Sequence, residues 1–135
     1  IALGSAPKKE RHLDLLDEYK IKSILSLCSE EEAEPVANVG ERFLCSRVVL
    51  PDHRHGRMPE PYEIKNALEE LKKLMNNGAT FVHCVASMER SPLICIAYLV
   101  VEKKYSFQTA LDYVMQIHPG TSPLPGQLEA LKKLI

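Results

Sequence analysis

The chain contains no tryptophan, and its five tyrosines and three phenylalanines make up only 6% of its 135 residues. Its four cysteines, at positions 28, 45, 84 and 95, form neither a Cys-x2-Cys pair nor the spacing of metal ligands. This spacing argues against a zinc site and against a dense disulfide scaffold. Isolated thiols are typical of a reducing compartment, so we expect a cytoplasmic protein.

Charge imbalance and long apolar runs are absent as well. With 17 basic and 18 acidic residues, the net charge is -1, and we expect neither nucleic acid nor a membrane surface as a partner. No apolar run approaches the ~20 residues of a membrane-spanning helix, and the N-terminus lacks the basic-then-apolar pattern of a signal peptide. The length predicts one domain over residues 1–135.

Apolar, β-branched runs alternate with amphipathic segments along the chain. Strand-like runs cover residues 1–3, 21–27, 43–50 and 79–82, and helical patterns cover residues 7–19, 61–75, 106–117 and 126–134, with a further helix beginning near Pro92. This alternation predicts an α/β fold with a mainly parallel sheet of four to five strands and helices on both faces. In such folds, ligands bind at the carboxyl ends of the strands.

The most informative segment follows the last predicted strand. It begins with His83 and Cys84, ends with Arg90 and Ser91, and contains between them Val85, Ala86, Ser87, Met88 and Glu89. A loop from a strand into a helix can turn successive backbone N–H groups toward one point, where the helix N-terminus adds partial positive charge. The segment therefore predicts a phosphate-binding loop between a central strand and a helix. Arg90 would supply a planar fork for two phosphate or sulfate oxygens.

Cys84 is placed in this loop as a nucleophile. A helix N-terminus and a nearby cation stabilise the thiolate form of a cysteine, which is the reactive form. A buried structural thiol is the commoner fate of a single cysteine, but such a thiol does not require an arginine six residues later. We therefore predict phosphoryl transfer to the sulfur of Cys84.

The segment from His83 to Ser91 resembles the signature of the cysteine-dependent protein tyrosine phosphatases, and most closely that of their compact (atypical) dual-specificity branch. The signature reads His-Cys, five residues, Arg, then Ser or Thr. An opening such as IALGS, a strand such as IKSILSL, a proline-aspartate loop and a closing Gln-Leu helix extend the resemblance over nearly the whole chain.

The resemblance implies metal-free hydrolysis of phosphomonoesters through a cysteinyl-phosphate intermediate, with no cofactor. The implied substrates are phosphotyrosine and phosphoserine or phosphothreonine in proteins or peptides, and phosphate or sulfate would fit the same site. It also implies that Ser91 stabilises the sulfur of Cys84 as a leaving group and that His83 orients the loop. We expect a monomer.

A general acid is needed because an alkoxide or phenoxide leaves poorly without a proton. Asp52, which follows Pro51 after a predicted strand, is similar in position to the general acid of compact dual-specificity phosphatases. Taken alone, it also has the pattern of an ordinary turn aspartate. Glu60 and Glu63 are alternatives, although acidic residues are expected at the start of a helix for electrostatic reasons.

The loop after Asp52 carries further polar residues. His53 and His55 are two residues apart and could share a metal ion, but a metal centre needs three or four converging ligands, and no other group has suitable spacing. We therefore predict no metal. Arg54 and Arg57 are candidates for recognising a second anionic group of the substrate.

Three features depart from the pattern of the branch. Ser87 stands where glycine is usual, and a positive backbone φ there would cost on the order of 1 kcal/mol or more. Glu89 stands where small or neutral residues are usual. Its carboxylate should repel phosphoinositides and polyphosphates, or else require a cationic partner. Pro123 and Leu124 replace a common Pro-Asn pair whose amide braces the phosphate loop in relatives.

Cys28 ends the strand-like run at the sheet edge where Cys84 is expected, in a stretch that resembles the corresponding strand of a lipid phosphatase. A reactive thiolate is readily oxidised to sulfenic acid, and a neighbouring thiol can trap that state as a reversible disulfide. We therefore predict Cys28 as a redox partner of Cys84. The pattern around Cys28 equally fits a small buried apolar residue.

Other functional classes stay open. A pseudophosphatase would bind a phosphorylated partner without turnover. A phosphoglucan phosphatase would share the fold, although the absence of tryptophan argues against aromatic platforms for sugars. Arsenate reduction or sulfur transfer also uses a cysteine in an anion-binding loop, but the aspartate loop and the Arg-Ser ending favour ester hydrolysis.

Overall fold

A computed structural model describes residues 1–135. It contains one sheet of four strands, β1 (Ala2–Gly4), β2 (Ser23–Ser26), β3 (Leu44–Arg47) and β4 (Thr80–His83). All neighbouring strands are parallel, in the order β1-β4-β2-β3. The predicted parallel α/β sheet is confirmed, with four strands.

The strand register aligns the carboxyl ends of three strands. Ser26 of β2 lies opposite both His83 of β4 and Arg47 of β3, and each of these residues is the last of its strand. The loops that follow β2, β3 and β4 therefore begin side by side at one edge of the sheet. This is the edge at which parallel α/β sheets bind their ligands.

Six helices accompany the sheet. They are α1 (Glu10–Glu18), α2 (Val39–Arg42), α3 (Pro61–Met75), α4 (Arg90–Val101), α5 (Phe107–Ile117) and α6 (Pro125–Leu134). Helix α3 has the predicted bounds, and Ser106 caps α5 as its position suggests, accepting a hydrogen bond from Thr109 N at 3.1 Å. Helix α1 begins at Glu10 rather than at residue 7 because Lys9 has an extended backbone. The four-residue α2 and a 3₁₀ turn over His53–His55 were not predicted.

Alternate residues of the central strands enter two separate cores. Leu25 and Val82 belong to a large core that includes side chains of α3, α4, α5 and α6. Ile24 and Phe81 belong to a smaller core with Leu13 of α1. Because successive residues of a strand point to opposite faces, helices cover both faces of the sheet, as predicted.

Helix α4 determines where its first residue lies. It is buried from Arg90 to Ala97 and packs against β4, α3 and α5. A helix that is apolar on all sides is typical of the interior of a domain, and its burial fixes Arg90 at the carboxyl edge of the sheet. No helix has both the length and the apolar character that crossing a membrane would require.

We predict that Leu25→Ala destabilises the fold much more than Leu44→Ala. Leu25 is fully buried in the large core, whereas Leu44, on the neighbouring strand β3, is 52% exposed. Removing the buried side chain should lower the free energy of unfolding by about 2–5 kcal/mol, and removing the exposed one by about 0.5 kcal/mol or less. Urea unfolding followed by circular dichroism measures both. Equal losses in the two variants would contradict the assignment of the core.

Candidate active site

The predicted phosphate loop joins β4 to α4. Strand β4 ends at His83 and α4 begins at Arg90, so residues 84–89 connect the carboxyl end of a central strand to a helix N-terminus. The Cys84 side chain is almost completely enclosed, with 3% of the residue exposed. It lies in the wall of a cavity of about 220 Å³, whose lining residues are Asp52, His53, Arg54, Cys84, Val85, Ala86, Met88, Glu89 and Arg90. Partial positive charge at the start of α4 makes this cavity suited to an anion.

The hydroxyl groups of Ser91 and Ser87 form a chain of contacts that starts at the sulfur of Cys84. The Ser91 Oγ lies 3.4 Å from the Cys84 Sγ, and the Ser87 Oγ lies 2.9 Å from the Ser91 Oγ. All three residues are buried. If Ser87 donates to Ser91, then the proton of Ser91 is free to point at the sulfur. This arrangement suits the predicted role of Ser91 in stabilising a thiolate.

Ser87 adopts the conformation that glycine would adopt more easily. Its φ is +59°, in the left-handed region, where a side chain costs on the order of 1 kcal/mol or more. The hydrogen bond to Ser91 compensates in part, because it gives the buried hydroxyl a partner. The loop therefore keeps its shape despite the replacement of glycine.

His83 lies behind the loop and is buried. One ring nitrogen, Nδ1, lies 2.9 Å from the backbone oxygen of Cys84, and the other, Nε2, lies 2.7 Å from the Ser26 Oγ. Burial lowers the pKa of His83, which favours the neutral ring. A neutral ring with both nitrogens engaged can hold the Cys84 peptide in place, and the orienting role of His83 stays a prediction.

Groups outside the loop brace its backbone. The backbone N–H of Ala6 donates to the Val85 oxygen at 3.1 Å, and that of Ser122 donates to the Met88 oxygen at 2.7 Å. The His118 Nε2 lies 2.9 Å from the backbone oxygen of Ser87. His118 thus supplies a side-chain brace of the kind that the Leu124 replacement removes. Nothing in the sequence marks His118 as a neighbour of the loop.

Glu89 has two partners at the rim of the cavity. One carboxylate oxygen lies 2.6 Å from the His53 Nδ1, and the other accepts from the Gln127 Nε2 at 3.1 Å. Of these two partners, His53 is the ionisable one and Gln127 is uncharged. Gln127, which is fully buried in α6, was not recognised from the sequence.

Arg90 reaches the loops that follow β2 and β3. The residue is 3% exposed, and its NH1 donates to the backbone oxygens of Leu50 at 3.0 Å and Leu27 at 3.4 Å. Its two terminal nitrogens also contact the Glu32 carboxylate, at 2.9 and 3.2 Å. Arg90 therefore carries a carboxylate on its guanidinium, and its binding of phosphate oxygens stays a prediction.

Glu32 is a residue of the site that the sequence did not reveal. It belongs to the acidic run 29–34, which has the pattern of a solvated loop or short helix. In the structure its side chain is largely buried, and hydrogen bonds from Arg90 and the Ser29 backbone outweigh burial and lower its pKa. The only signal in the sequence is the presence of acidic residues after a strand that ends at the binding edge.

Asp52 lies in the same cavity and is 4% exposed. One carboxylate oxygen accepts from the Arg54 backbone N–H at 2.8 Å and lies 2.8 Å from the His55 Nδ1. The other accepts from the Arg54 Nε at 2.9 Å and from Arg90 at 3.4 Å. Burial alone would raise the pKa of Asp52, but the hydrogen bonds of Arg54 and the charge of Arg90 hold it well below its ordinary value.

The alternative acids lie elsewhere. Glu63 pairs with Arg57 at 2.7 and 2.9 Å, and it accepts from the backbone N–H of Glu60 at the start of α3. Neither glutamate lines the cavity of Cys84. Of the three candidate acids, Asp52 is the one brought to the cysteine.

The arginines after Asp52 are bound to carboxylates. Arg54 contacts Asp52 and Glu32, and Arg57 contacts Glu63. The prediction that Arg54 and Arg57 recognise a second anionic group stays a prediction, and such a group would have to compete with these carboxylates. Ligand atoms of Glu32, Asp52 and His55 lie within 4.8 Å of one another, but guanidinium groups already supply positive charge to both carboxylates.

Cys28 is buried just beyond the end of β2, and its thiol is free. Burial raises its pKa, although the charges of Arg90 and Arg47 act in the opposite direction. A protonated thiol is a weak nucleophile. The proposed disulfide between Cys28 and Cys84 therefore stays a prediction, and its formation depends on the thiolate of Cys84 being oxidised first.

The chain matches the family model described as dual specificity phosphatase, catalytic domain, over residues 1–134. It is 28% identical to mouse dual specificity protein phosphatase 19 over 120 residues, which are 89% of this chain and 52% of the relative. It is 30% identical to human dual specificity protein phosphatase 6 over 122 residues, which are 90% of this chain and 31% of the relative. The chain thus spans about half or less of the length of these relatives.

A solved structure shares the same fold. The crystal structure of Tk-PTP in the active form superposes with a TM-score of 0.82 and 21% identity, covering 99% of this chain and 91% of the other. The parallel sheet and the loop between β4 and α4 thus occur in a chain that matches the family model along nearly its whole sequence. The chain belongs to the family of dual specificity phosphatase catalytic domains.

Proposed function

We propose that residues 1–135 form one catalytic domain that hydrolyses phosphomonoesters of proteins through a cysteinyl-phosphate intermediate. The single observation that carries the proposal is the enclosed Cys84 sulfur, which lies at a helix N-terminus with a hydroxyl 3.4 Å away and with Arg90 and Asp52 lining the same cavity. The family of the chain supports the same chemistry. As the resemblance to the cysteine-dependent phosphatases implies, the reaction uses no metal and no cofactor.

The first step transfers the phosphoryl group to sulfur. The thiolate of Cys84 attacks phosphorus while the bond between phosphorus and the ester oxygen breaks. Asp52, in its protonated form, gives its proton to the departing oxygen. Arg90 and the backbone N–H groups of the loop hold the phosphoryl oxygens as their charge changes.

The second step releases inorganic phosphate. Water attacks phosphorus, Asp52 takes a proton from that water, and the bond between phosphorus and sulfur breaks. The electrons of that bond return to Cys84 as a thiolate. The hydroxyl of Ser91 stabilises this thiolate by donating a hydrogen bond, which its distance of 3.4 Å supports.

Charges at the rim of the cavity define the substrate class. Glu89 places a carboxylate at the rim of the cavity, next to the imidazole of His53 and the uncharged amide of Gln127. A substrate with a second phosphate near the first would be repelled by this carboxylate. We therefore favour singly phosphorylated tyrosine, serine or threonine in proteins over phosphoinositides and polyphosphates. A catalytic thiolate also requires reducing conditions, which is the basis for proposing a cytoplasmic location.

We predict that Cys84→Ser abolishes phosphate release from an aryl phosphate under reducing, metal-chelated conditions. A hydroxyl is a far weaker nucleophile than a thiolate, so the rate should fall by about 10³-fold or more. Cys45→Ser is the matched control, since Cys45 is an exposed cysteine outside the cavity, and it should retain native activity. A folded native protein that binds vanadate but releases no phosphate would instead support the pseudophosphatase alternative.

We predict that Asp52→Asn lowers kcat/KM by about 10²- to 10⁴-fold for an alkyl phosphate, whose leaving group needs a proton. The loss should be much smaller for an aryl phosphate with an acidic phenol as leaving group. Asp112→Asn, an exposed position on α5, serves as the control. Equal losses for both substrates would show that Asp52 has a structural role only.

We predict that Glu89→Gln selectively improves the hydrolysis of doubly phosphorylated peptides. The substitution removes the negative charge while keeping a side chain of similar size. It should raise kcat/KM for a doubly phosphorylated peptide relative to its singly phosphorylated counterpart by up to about fivefold. The gain should shrink at high salt, because salt screens the repulsion between the Glu89 carboxylate and the second phosphate. An unchanged ratio would remove Glu89 as a determinant of substrate choice.

A further inference from the structure

Two carboxylates and two guanidinium groups form a closed ring at the active site. Arg54 contacts Asp52 at 2.7 Å and Glu32 at 3.0 Å, and Arg90 contacts the same two carboxylates at 3.4 and 2.9 Å. Each carboxylate is thus shared between two cations. Arg90 belongs to the phosphate loop, whereas Arg54 lies in the 3₁₀ turn that follows Asp52.

Arg54 holds Asp52 more extensively than Arg90 does. Its backbone N–H donates to one carboxylate oxygen at 2.8 Å, and its side chain donates to the other from both Nε, at 2.9 Å, and a terminal nitrogen, at 2.7 Å. The side chain of Arg54 is 55% exposed and that of Asp52 only 5%. An exposed arginine therefore covers a buried acid and fixes both of its oxygens.

The groups that face Asp52 come from three segments. Arg54 and His55 belong to its own turn, Arg90 begins α4, and Glu32 lies in the loop after β2, where it touches both arginines. Glu89 and His53 form a separate pair on the rim of the same cavity. Against the burial of the carboxyl group, the hydrogen bonds of Arg54 and then the charge of Arg90 act to lower its pKa.

This arrangement opposes the proposed task of Asp52. A general acid must carry a proton when the substrate is bound, yet both oxygens of Asp52 accept hydrogen bonds from cationic or N–H donors in the substrate-free protein. Arg90 is also the group that must hold the phosphoryl oxygens. A phosphoryl dianion therefore competes with Asp52 for Arg90, and it favours protonation of Asp52 by bringing negative charge next to it.

We propose that Arg54 is a positioning residue that docks the Asp52 carboxylate against Arg90 and thereby restrains its use as a general acid. The inference rests on the proposed function. When a phosphoryl group binds Arg90, Asp52 turns from Arg90 and takes up a proton from the bulk solvent. Arg54 opposes this change because it lies two residues after Asp52 and keeps its hydrogen bonds to the Asp52 carboxylate.

The experiment compares Arg54→Met with Arg57→Met in the otherwise native chain. Methionine removes the charge and the forked donors but keeps an unbranched side chain. Arg57 is the matched control, because it lies in the same loop, has a similarly exposed side chain (54%) and pairs with Glu63 rather than Asp52. Thermal unfolding of both variants checks that they fold.

The first measurement is the pH dependence of kcat/KM for an alkyl phosphate. Arg54→Met should move the alkaline limb upward by about one pH unit or more, since removing an adjacent cation raises the proton affinity of a carboxyl group. Above the optimum, this shift corresponds to about tenfold higher activity. Arg57→Met should leave the limb in place, and Arg54→Lys, which keeps the charge without the fork, should shift it less.

The second measurement follows the ¹³C carboxyl resonance of Asp52 in the Cys84→Ser background, with Asp52→Asn used to assign the signal. Arg54→Met should raise its titration midpoint, and Arg57→Met should not. An unchanged midpoint, or activity lowered equally at every pH, would overturn the inference. If the midpoint rises but the native protein shows no turnover, the proposed function is refuted. Arg54 is then only an electrostatic partner of Asp52, and the inference is overturned as well.

Discussion

The buried guanidinium of Arg90 is the constraint on which the carboxyl edge of the sheet depends. A charged group that is 3% exposed must be paired and fully hydrogen-bonded to be tolerated. Arg90 meets this requirement with the backbone oxygens of Leu27 and Leu50, which follow β2 and β3, and with the carboxylates of Glu32 and Asp52. One side chain on α4 thus ties together the loops from three strands, and the cavity of Cys84 exists because those loops are held.

Because the buried Arg90 must be paired, two carboxylates occupy the place where the phosphoryl group of a substrate would bring its own negative charge. In the substrate-free protein, Glu32 and Asp52 neutralise Arg90, so an incoming phosphoryl group does not meet an unpaired cation. Removing one partner of a buried ion pair is costly, and Glu32 can stay on Arg90 while the phosphoryl group replaces Asp52. In the proposed mechanism, binding of the phosphoryl group and release of Asp52 from Arg90 are therefore one event. The site combines a permanent counterion with a displaceable one.

The sequence predicts those parts of the molecule whose cause is local. The apolar stripe of α3 and its proline at the first turn defined that helix to the residue, and the spacing of Cys84 and Arg90 identified the loop between β4 and α4. Glu32 escaped detection because its partner lies 58 residues away, and an acidic run has the same pattern whether it is solvated or paired. Likewise, α2 and the turn over His53–His55 are too short to show a periodic pattern of apolar residues, and long-range contacts stabilise them. His118 and Gln127 contact the loop only after α5 and α6 have packed.

Contacts with neighbouring residues compensate for the departures of this chain from its family's usual pattern. Ser87 costs on the order of 1 kcal/mol or more at a φ of +59°, and a hydrogen bond such as the one it makes with Ser91 contributes about 0.5–1.5 kcal/mol. The two effects are of similar size, so the strained loop is no reason to expect an unfolded site. Glu89 is held by Gln127, and His118 braces the backbone oxygen of Ser87. Because α6 and the residue that follows α5 supply these last two contacts, the C-terminal part of the chain also supports the loop between β4 and α4.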